Sequence, residues 1–219
     1  MRKTFICLAN SKKYGGRCLA GIEVERNPTD RHLELLRDPQ GRPRWLRPVT
    51  RTEHGEIPHP QCQHLRLLDL VEFEQMAPCP DGCQTENVWY AGKTFDKSGF
   101  LNLKPPNLDQ LIDDRPMLLG NLEKSISRAE TSVLDHSIVL IKPNAASVRF
   151  HEIGATHLRV RFEYRAAQFD LPVTDFDFYL RWVDEPLLLA AAEHVYFCVS
   201  VSKEYEGRLH KLVAGILWA

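Results

Sequence analysis

No run of apolar residues in this chain comes near the roughly 20 needed to cross a bilayer as a helix. The stretch Leu187 to Ala192 is apolar for six residues and stops at Glu193. The opening Met1-Arg-Lys-Thr-Phe-Ile-Cys is no signal peptide, because its apolar part ends at Asn10-Ser11-Lys12-Lys13 without a hydrophobic region or cleavage site. A cytoplasmic protein with no membrane contact is the expectation. Paired Cys-x-x-Cys ligands are also missing. Cys62, His64, Cys79 and Cys83 offer soft ligands at loose spacing, a weak zinc signal, so no metal and no other cofactor is expected. No phosphate loop ending in Gly-Lys-Ser/Thr occurs. The carboxylates Asp175, Asp177, Asp184 and Glu185 match no metal-dependent catalytic pattern, and Asp184 has a sufficient role as helix N-cap before Pro186. Cys7 and Cys198 lie in apolar runs, where burial disfavours the thiolate. The six cysteines therefore read as reduced, small hydrophobes.

What the chain does have is enough apolar residue, 43% of 219, to bury a sizeable core in one large or two small domains. It also has a charge asymmetry that the net value of −1 conceals. Residues 1–51 carry 12 Lys/Arg against 5 acids, and the rest carries 16 against 24. A first segment of +7 suits an anion such as nucleic acid or a nucleotide; solvated basic loops are the alternative.

Short alternating runs dominate. Thr4–Ala9 and Arg17–Val24 read as a strand pair joined by the polar, glycine-containing stretch 10–16. Residues 25–43, punctuated by Pro28, Pro39 and Pro43, read as loop with one helical turn at most. Arg44–Val49, Leu67–Phe73 and Asn87–Tyr90 follow as strands. Over 105–131, leucines and isoleucines recur at helical spacing, broken by Pro116, and predict one or two connecting helices. Strands return at Ile138–Ile141, Leu158–Tyr164, Phe169–Val173, Val195–Val201 and His210–Ile216, with a short helix expected over 185–193. The expected fold is mainly β with some α: two small β-barrels or sandwiches joined by a helical segment, with a basic domain at 1–104, a connector at 105–134 and a second domain at 135–219; a single mixed domain is the competing reading.

Several segments resemble the dual OB-containing domain family of prokaryotes. The most specific is Cys7-Leu-Ala-Asn-Ser-Lys-Lys-Tyr-Gly-Gly-Arg-Cys-Leu-Ala-Gly21, followed by Trp45-Leu-Arg-Pro-Val49 with Gly55-Glu-Ile57. Leu67–Glu72, Gln84–Asn87, Tyr196–Ser200, Tyr205–Gly207 and Lys211–Ala214 extend the likeness over nearly the whole chain. The resemblance implies two OB-like barrels, a bacterial conflict or defence setting and binding of nucleic acid or a nucleotide. It supplies no catalytic residues.

Two candidate sites follow. In the stretch 10–17, Gly15 and Gly16 would let backbone approach a ligand, Lys12, Lys13 and Arg17 bring positive charge, and Asn10 and Ser11 bring hydrogen-bonding groups. A tight hairpin with solvated lysines is the competing reading. On a strand, Trp45 and Arg47 share a face, as a base-stacking and phosphate-holding pair would; a core tryptophan with a rim arginine is equally consistent. Tyr14 and Tyr90 add stacking surface. Gln84–Asn87 reads as a turn whose side chains cap the backbone. The resulting expectation is a module for single-stranded nucleic acid or a nucleotide, with a partner effector protein as a second expected partner. The alternatives are a regulatory or adaptor subunit with an acidic second half as partner face, and a metal-dependent enzyme acting on nucleotides.

Overall fold

A computed structural model describes residues 1–27, 29, 32–104, 107–154 and 157–219. Pro28, read from sequence as loop punctuation, and Pro105 and Pro106, at the start of the expected helical segment, lie outside the described residues. The chain divides into two units, residues 1–81 with 85–103, and residues 82–84 with 104–219.

The first unit is built on β1 (Arg2–Lys13), β2 (Gly16–Arg26), β3 (Leu33–Leu35), β4 (Trp45–Val49), β5 (Asp69–Pro78), β6 (Asn87–Tyr90) and β7 (Asp96–Phe100). Five of these close a barrel. The order runs β1-β2-β4-β6-β5, and β5 pairs back onto β1. The β4–β6 pair is parallel and the other four are antiparallel. This is the connectivity of an OB barrel, with β3 and β7 as additions. The segment 25–43 is not all loop: β3 continues the β2 ladder, with Val24 opposite Leu35.

Closure requires β1 to serve two neighbours. Its first half pairs with β5 and it pairs with β2 almost throughout, with a bulge between Cys7 and Ala9 that bends the strand. Gly21 sits opposite Cys7, and a Cβ there would lie 1.9 Å from the Ile6 carbonyl oxygen. Only glycine permits this approach. The interior is filled by Phe5, Leu19, Val71, Phe73, Tyr90 and Phe95, among others. Tyr90 stacks on Phe95 at 4.3 Å, which assigns Tyr90 to the core and not to a ligand surface.

The link from β4 to β5 carries the one-turn helix α1 (His59–Cys62). Pro60 is compatible with helix here because a first-turn residue has no intrahelical N–H partner to lose. Burial pushes the Cys62 thiol up to about 11, so it is a packing group.

The second unit contains β8 (Ser125–Ser127), β9 (Ile138–Ile141), β10 (Arg149–Ile153), β11 (His157–Tyr164), β12 (Ala167–Pro172), β13 (Val195–Tyr205) and β14 (Arg208–Trp218). Four form the sheet β8-β14-β13-β9 and three form β10-β11-β12. The parallel bridge Val173–Val213 links the end of β12 to β14, giving a half-barrel around Val160, Phe162, Phe169, Phe197 and Val213.

Two local expectations change here. The helical spacing over 105–131 resolves into two 3-10 turns, Leu108–Leu111 and Leu118–Gly120, then β8 and the short α2 (Arg128–Thr131). Pro116 interrupts the periodicity, and Leu119 and Gly120 take positive φ of 49° and 87°, which a continuous helix forbids. The helix expected at 185–193 lies earlier, as α3 (Phe176–Asp184). Asp175 is its N-cap, accepting from the Phe178 N–H, so Asp184 ends the helix instead of starting one. Pro186 disfavours helical backbone at Glu185 and acts as a stop.

Candidate functional site

The polar stretch 10–16 is mostly strand. β1 runs to Lys13 and β2 begins at Gly16, so the connection is only Tyr14-Gly15. Both residues have positive φ, 43° and 83°, the requirement of a type I′ hairpin turn, whose twist matches that of the flanking strands. Ladder geometry then sorts the predicted residues. Asn10 and Ser11 are buried, and the Asn10 side-chain amide donates to the Leu65 carbonyl at 3.0 Å. Lys12 is exposed, Lys13 is half-buried and the Tyr14 side chain projects from the tip, 65% exposed.

Gly16 and Arg17 face the protein. Arg17 and Ile57 exchange backbone hydrogen bonds at 2.8 Å each. A Cβ on Gly16 would come within 2.5 Å of the Ile57 carbonyl oxygen, so the approach glycine permits is used by the chain itself. The Arg17 guanidinium is buried against the Asn10 carbonyl at 3.5 Å and His59 Nε2 at 3.3 Å. Gly16 and Arg17 therefore hold the hairpin to the segment after β4.

That segment completes the site. Residues 50–55 form a tight turn, with the Thr50 N–H donating to the Gly55 carbonyl at 3.4 Å and the Thr50 hydroxyl to the Glu56 carbonyl at 2.6 Å. His54, on this turn, stacks on the Tyr14 ring at 3.8 Å with 27° between planes. Arg51, on the same turn, lies over the half-buried Trp89 ring at 5.5 Å, a cation–π contact. Trp89 pairs with Val49 in the parallel ladder, while Gly21 pairs with Leu46 in the antiparallel one. These registers bring the start of β2 and the ends of β4 and β6 to one end of the barrel. Lys12, Lys13, Tyr14, Arg51, His54 and Trp89 thus form an aromatic and basic cluster there. Glu53 lies on the same turn, and Glu56 is the acid that follows it. Burial raises its pKa, but bonds from its own amide and the Thr52 hydroxyl, with the His54 charge, hold it below the usual carboxylate range.

The Trp45 and Arg47 pair lies elsewhere. Trp45 is 7% exposed and Arg47 2%, both in a β4 strand whose every residue is buried. The Arg47 guanidinium donates to Glu86 at 2.8 Å. A buried arginine engaged by a buried carboxylate cannot hold a solvent-side phosphate, so the sequence expectation for this pair gives way to a framework role. Glu86 and Asn87 are likewise buried at the start of β6. Arg51, His54 and Trp89 were missed by the sequence reading. Trp89 next to the core residue Tyr90 gave a hint, since a strand directs neighbours to opposite faces.

The basic first segment is largely consumed by internal pairs. Glu23 is buried and bridges Lys3 at 2.6 Å and Arg44 at 2.7 Å. Arg2 pairs with Glu72 at 2.7 Å and Arg42 with Asp38 at 2.6 Å. Lys12 and Arg51 stand out as exposed cations of the cluster at the hairpin tip.

The carboxylates of the second unit have structural duties. Asp175 is buried, with one oxygen accepting from Phe178 N–H and the other from Ile216 N–H, both at 3.0 Å. Asp184 lies nine residues along the helix, about 13 Å away at 1.5 Å per residue, too far to share an ion with Asp175. No group of three His, Cys, Asp or Glu side chains suited to one metal ion occurs among the described residues. No helix among them is long and apolar enough to cross a membrane.

A family model described as the dual OB-containing domain matches residues 3–216. No curated protein matches the chain. One similar solved structure is described as a murine DNA-binding protein bound with double-stranded DNA, at 6% identity and a TM-score of 0.37, covering 100% of this chain and 96% of that one. Another, described as the molecular basis for abrogation of activation of pro-inflammatory cytokines, has 6% identity and a TM-score of 0.35, covering 100% of this chain and 92% of that one. Both likenesses are too distant to carry an argument.

Proposed function

The chain belongs to the dual OB-containing domain family, and from that premise we propose that its first barrel binds single-stranded nucleic acid at the end formed by the β1–β2 hairpin tip and the 50–55 turn. OB barrels bind oligonucleotides on the face of their second and third strands and on the loops around it, the β1–β2 loop among them. Here the strand face is closed off, since β4 is buried throughout and β2 exposes only Glu25 and Arg26. The loops remain. The observation that carries the reading is the Tyr14 ring, exposed and stacked on His54 beside Lys12 and Lys13.

In this reading an unpaired base stacks on Tyr14 and another meets Trp89, while Lys12, Lys13 and Arg51 contact phosphates. Stacking needs bases free of a partner strand, which favours single strands over duplex. Gly15, Gly16, Arg17, Asn10 and Ser11 shape the hairpin, and Trp45 and Arg47 fix the strand beneath it. The family likeness adds a bacterial defence setting to the proposal, and the acidic second half adds a partner effector protein.

The test is fluorescence anisotropy with labelled single- and double-stranded DNA and RNA across a salt series. Binding is expected to prefer single strands and to weaken linearly in log salt. Substituting Lys12→Ala with Arg51→Ala removes two phosphate contacts, so the slope should fall by about 1.4. Wild-type affinity and slope in that double variant would overturn the assignment of the site.

A further inference from the structure

The second half of the chain is acidic overall, yet one of its surfaces is not. In β11 the residues Leu158, Val160 and Phe162 are buried, so Arg159, Arg161 and Glu163 point outward. Register then brings further cations beside them. Arg149 of β10 lies opposite Arg161, and His151 lies opposite Arg159. On the other side, Asp170 of β12 lies opposite Arg161.

Asp170 serves all of its basic neighbours at once. Its carboxylate accepts from Arg159 Nε at 2.7 Å and from an Arg161 terminal nitrogen at 3.2 Å, with His151 Nε2 at 3.4 Å. Partial burial raises its pKa, but the two arginine bonds bring it below the ordinary carboxylate range. One carboxylate thus orders two guanidiniums without neutralising both. Arg149 donates to the neighbouring Val148 carbonyl at 2.7 Å, and the Arg161 side chain is 61% exposed. Glu163, the outward acid of β11, lies toward the β11–β12 hairpin, where Gln168 donates to it at 3.5 Å. Like charges directly opposite one another destabilise a sheet. The Arg149–Arg161 juxtaposition therefore works against the fold, and an external anion would relieve it.

We propose that the outer face of the β10–β11–β12 sheet is a second nucleic-acid contact surface, at which Arg149, Arg159 and Arg161 hold the sugar-phosphate backbone. Guanidinium forks match phosphate geometry. Arg159 and Arg161 are about 7 Å apart along the strand, and Arg149 stands roughly 5 Å across from Arg161, so adjacent phosphates of one strand are within reach of the three. The surface carries no exposed aromatic side chain between these arginines, which makes it a backbone contact without base reading. It lies on a different unit from the hairpin-tip cluster and does not depend on that assignment.

The test uses the full chain and a labelled single-stranded 20-mer in a salt series. In Arg149→Gln with Arg161→Gln, binding is expected to weaken severalfold and the log–log salt slope to fall by about 1.4. Arg149→Lys with Arg161→Lys keeps the charges and should keep the slope. The glutamine effect should persist when Lys12→Ala and Arg51→Ala are also present, which separates this surface from the first-barrel site. Thermal melting gives the second readout. The glutamine variant should melt close to the wild-type temperature, because the like-charge pair and the exposed Arg161–Asp170 contact are removed together. An unchanged slope would overturn the proposal. Displacement of the 20-mer by polyglutamate as readily as by unlabelled oligonucleotide would also overturn it, by assigning the face to an acidic protein.

Discussion

Arg47 and Glu86, both buried, are joined twice. The Arg47 amide donates to the Glu86 carbonyl at 2.9 Å, and the guanidinium donates to the carboxylate at 2.8 Å, with both side chains withdrawn from solvent. The main-chain bond lies at the junction of β4 and β6, the one parallel pair of the barrel, so the ion pair is part of the closure.

Removing the Glu86 carboxylate alone should therefore be costly. Glu86→Leu deprives a buried guanidinium of its counter-charge, with an expected loss of about 3–5 kcal/mol. Arg47→Met together with Glu86→Leu should recover most of that loss, because an apolar pair avoids the desolvation of both charges. Urea unfolding of the wild type and the two variants checks this. A single-variant cost as small as that of the double would show that the carboxylate is not what sustains Arg47.

Tyr14 offers a cleaner separation of function from stability. Its φ of 43° favours residues that tolerate left-handed backbone, so Tyr14→Asn removes the ring without adding strain. Loss of one stacked base is worth about 1–3 kcal/mol, or roughly 5- to 150-fold in affinity for single-stranded nucleic acid. Tyr14→Trp should retain binding. Anisotropy reads the affinity, and an unchanged melting temperature shows that the fold is intact.

Gly21 and Gly15 should respond differently to alanine. At Gly21 the new Cβ would meet backbone 1.9 Å away, at a position where β1 and β2 are already paired. Neither strand can yield without breaking the ladder, so Gly21→Ala should cost at least about 3 kcal/mol, the upper end of overpacking penalties. At Gly15 nothing lies within 4 Å, and only the φ of 83° opposes a side chain. About 1–2 kcal/mol is expected for Gly15→Ala. Chemical denaturation of both variants tests the ranking.

Lys211 should make the second unit more stable in alkali. Its side chain is fully buried, and the ammonium donates to the Asn121 carbonyl at 2.8 Å and to Asn121 Oδ1 at 2.7 Å. Burial lowers its pKa from 10.5 to about 8, partly opposed by Glu130 and Glu123. Between those values the unfolded chain holds the proton and the folded chain does not, so stability rises with pH across that window. The full shift is worth about 3 kcal/mol. Stability of the wild type relative to Lys211→Met, followed by urea unfolding from pH 7.5 to 10, should rise accordingly. A flat difference would mean that the buried amine does not titrate there.

The legible parts of this protein were its short apolar and alternating runs. Ile138–Ile141 forms the strand its run suggests, and Leu158–Tyr164 differs by one residue. Elsewhere the same residue type carried two meanings. Pro186 can begin a helix or end one, and the choice rests on Asp175, whose carboxylate binds both the helix start and the Ile216 amide of a distant strand. That second bond has no local signature.

The candidate site divides the same way. The hairpin at Tyr14-Gly15 was visible because its glycines and polar neighbours are local signals. Its extent was misjudged because Asn10 to Lys13 are polar residues in a strand, two of them buried.

By itself the sequence determined the alternating strands, the family likeness and the concentration of positive charge in the first quarter. These depend on residues near one another along the chain. Only the tertiary structure decided which charges face solvent. It turned Arg47 inward to Glu86, took up Lys3 and Arg44 with Glu23, and left Lys12 and Arg51 outside. It also brought Arg149 opposite Arg161 in a half whose composition is acidic. The electrostatics of a surface follow from cross-strand register and burial, and both are set by pairings between residues remote in sequence.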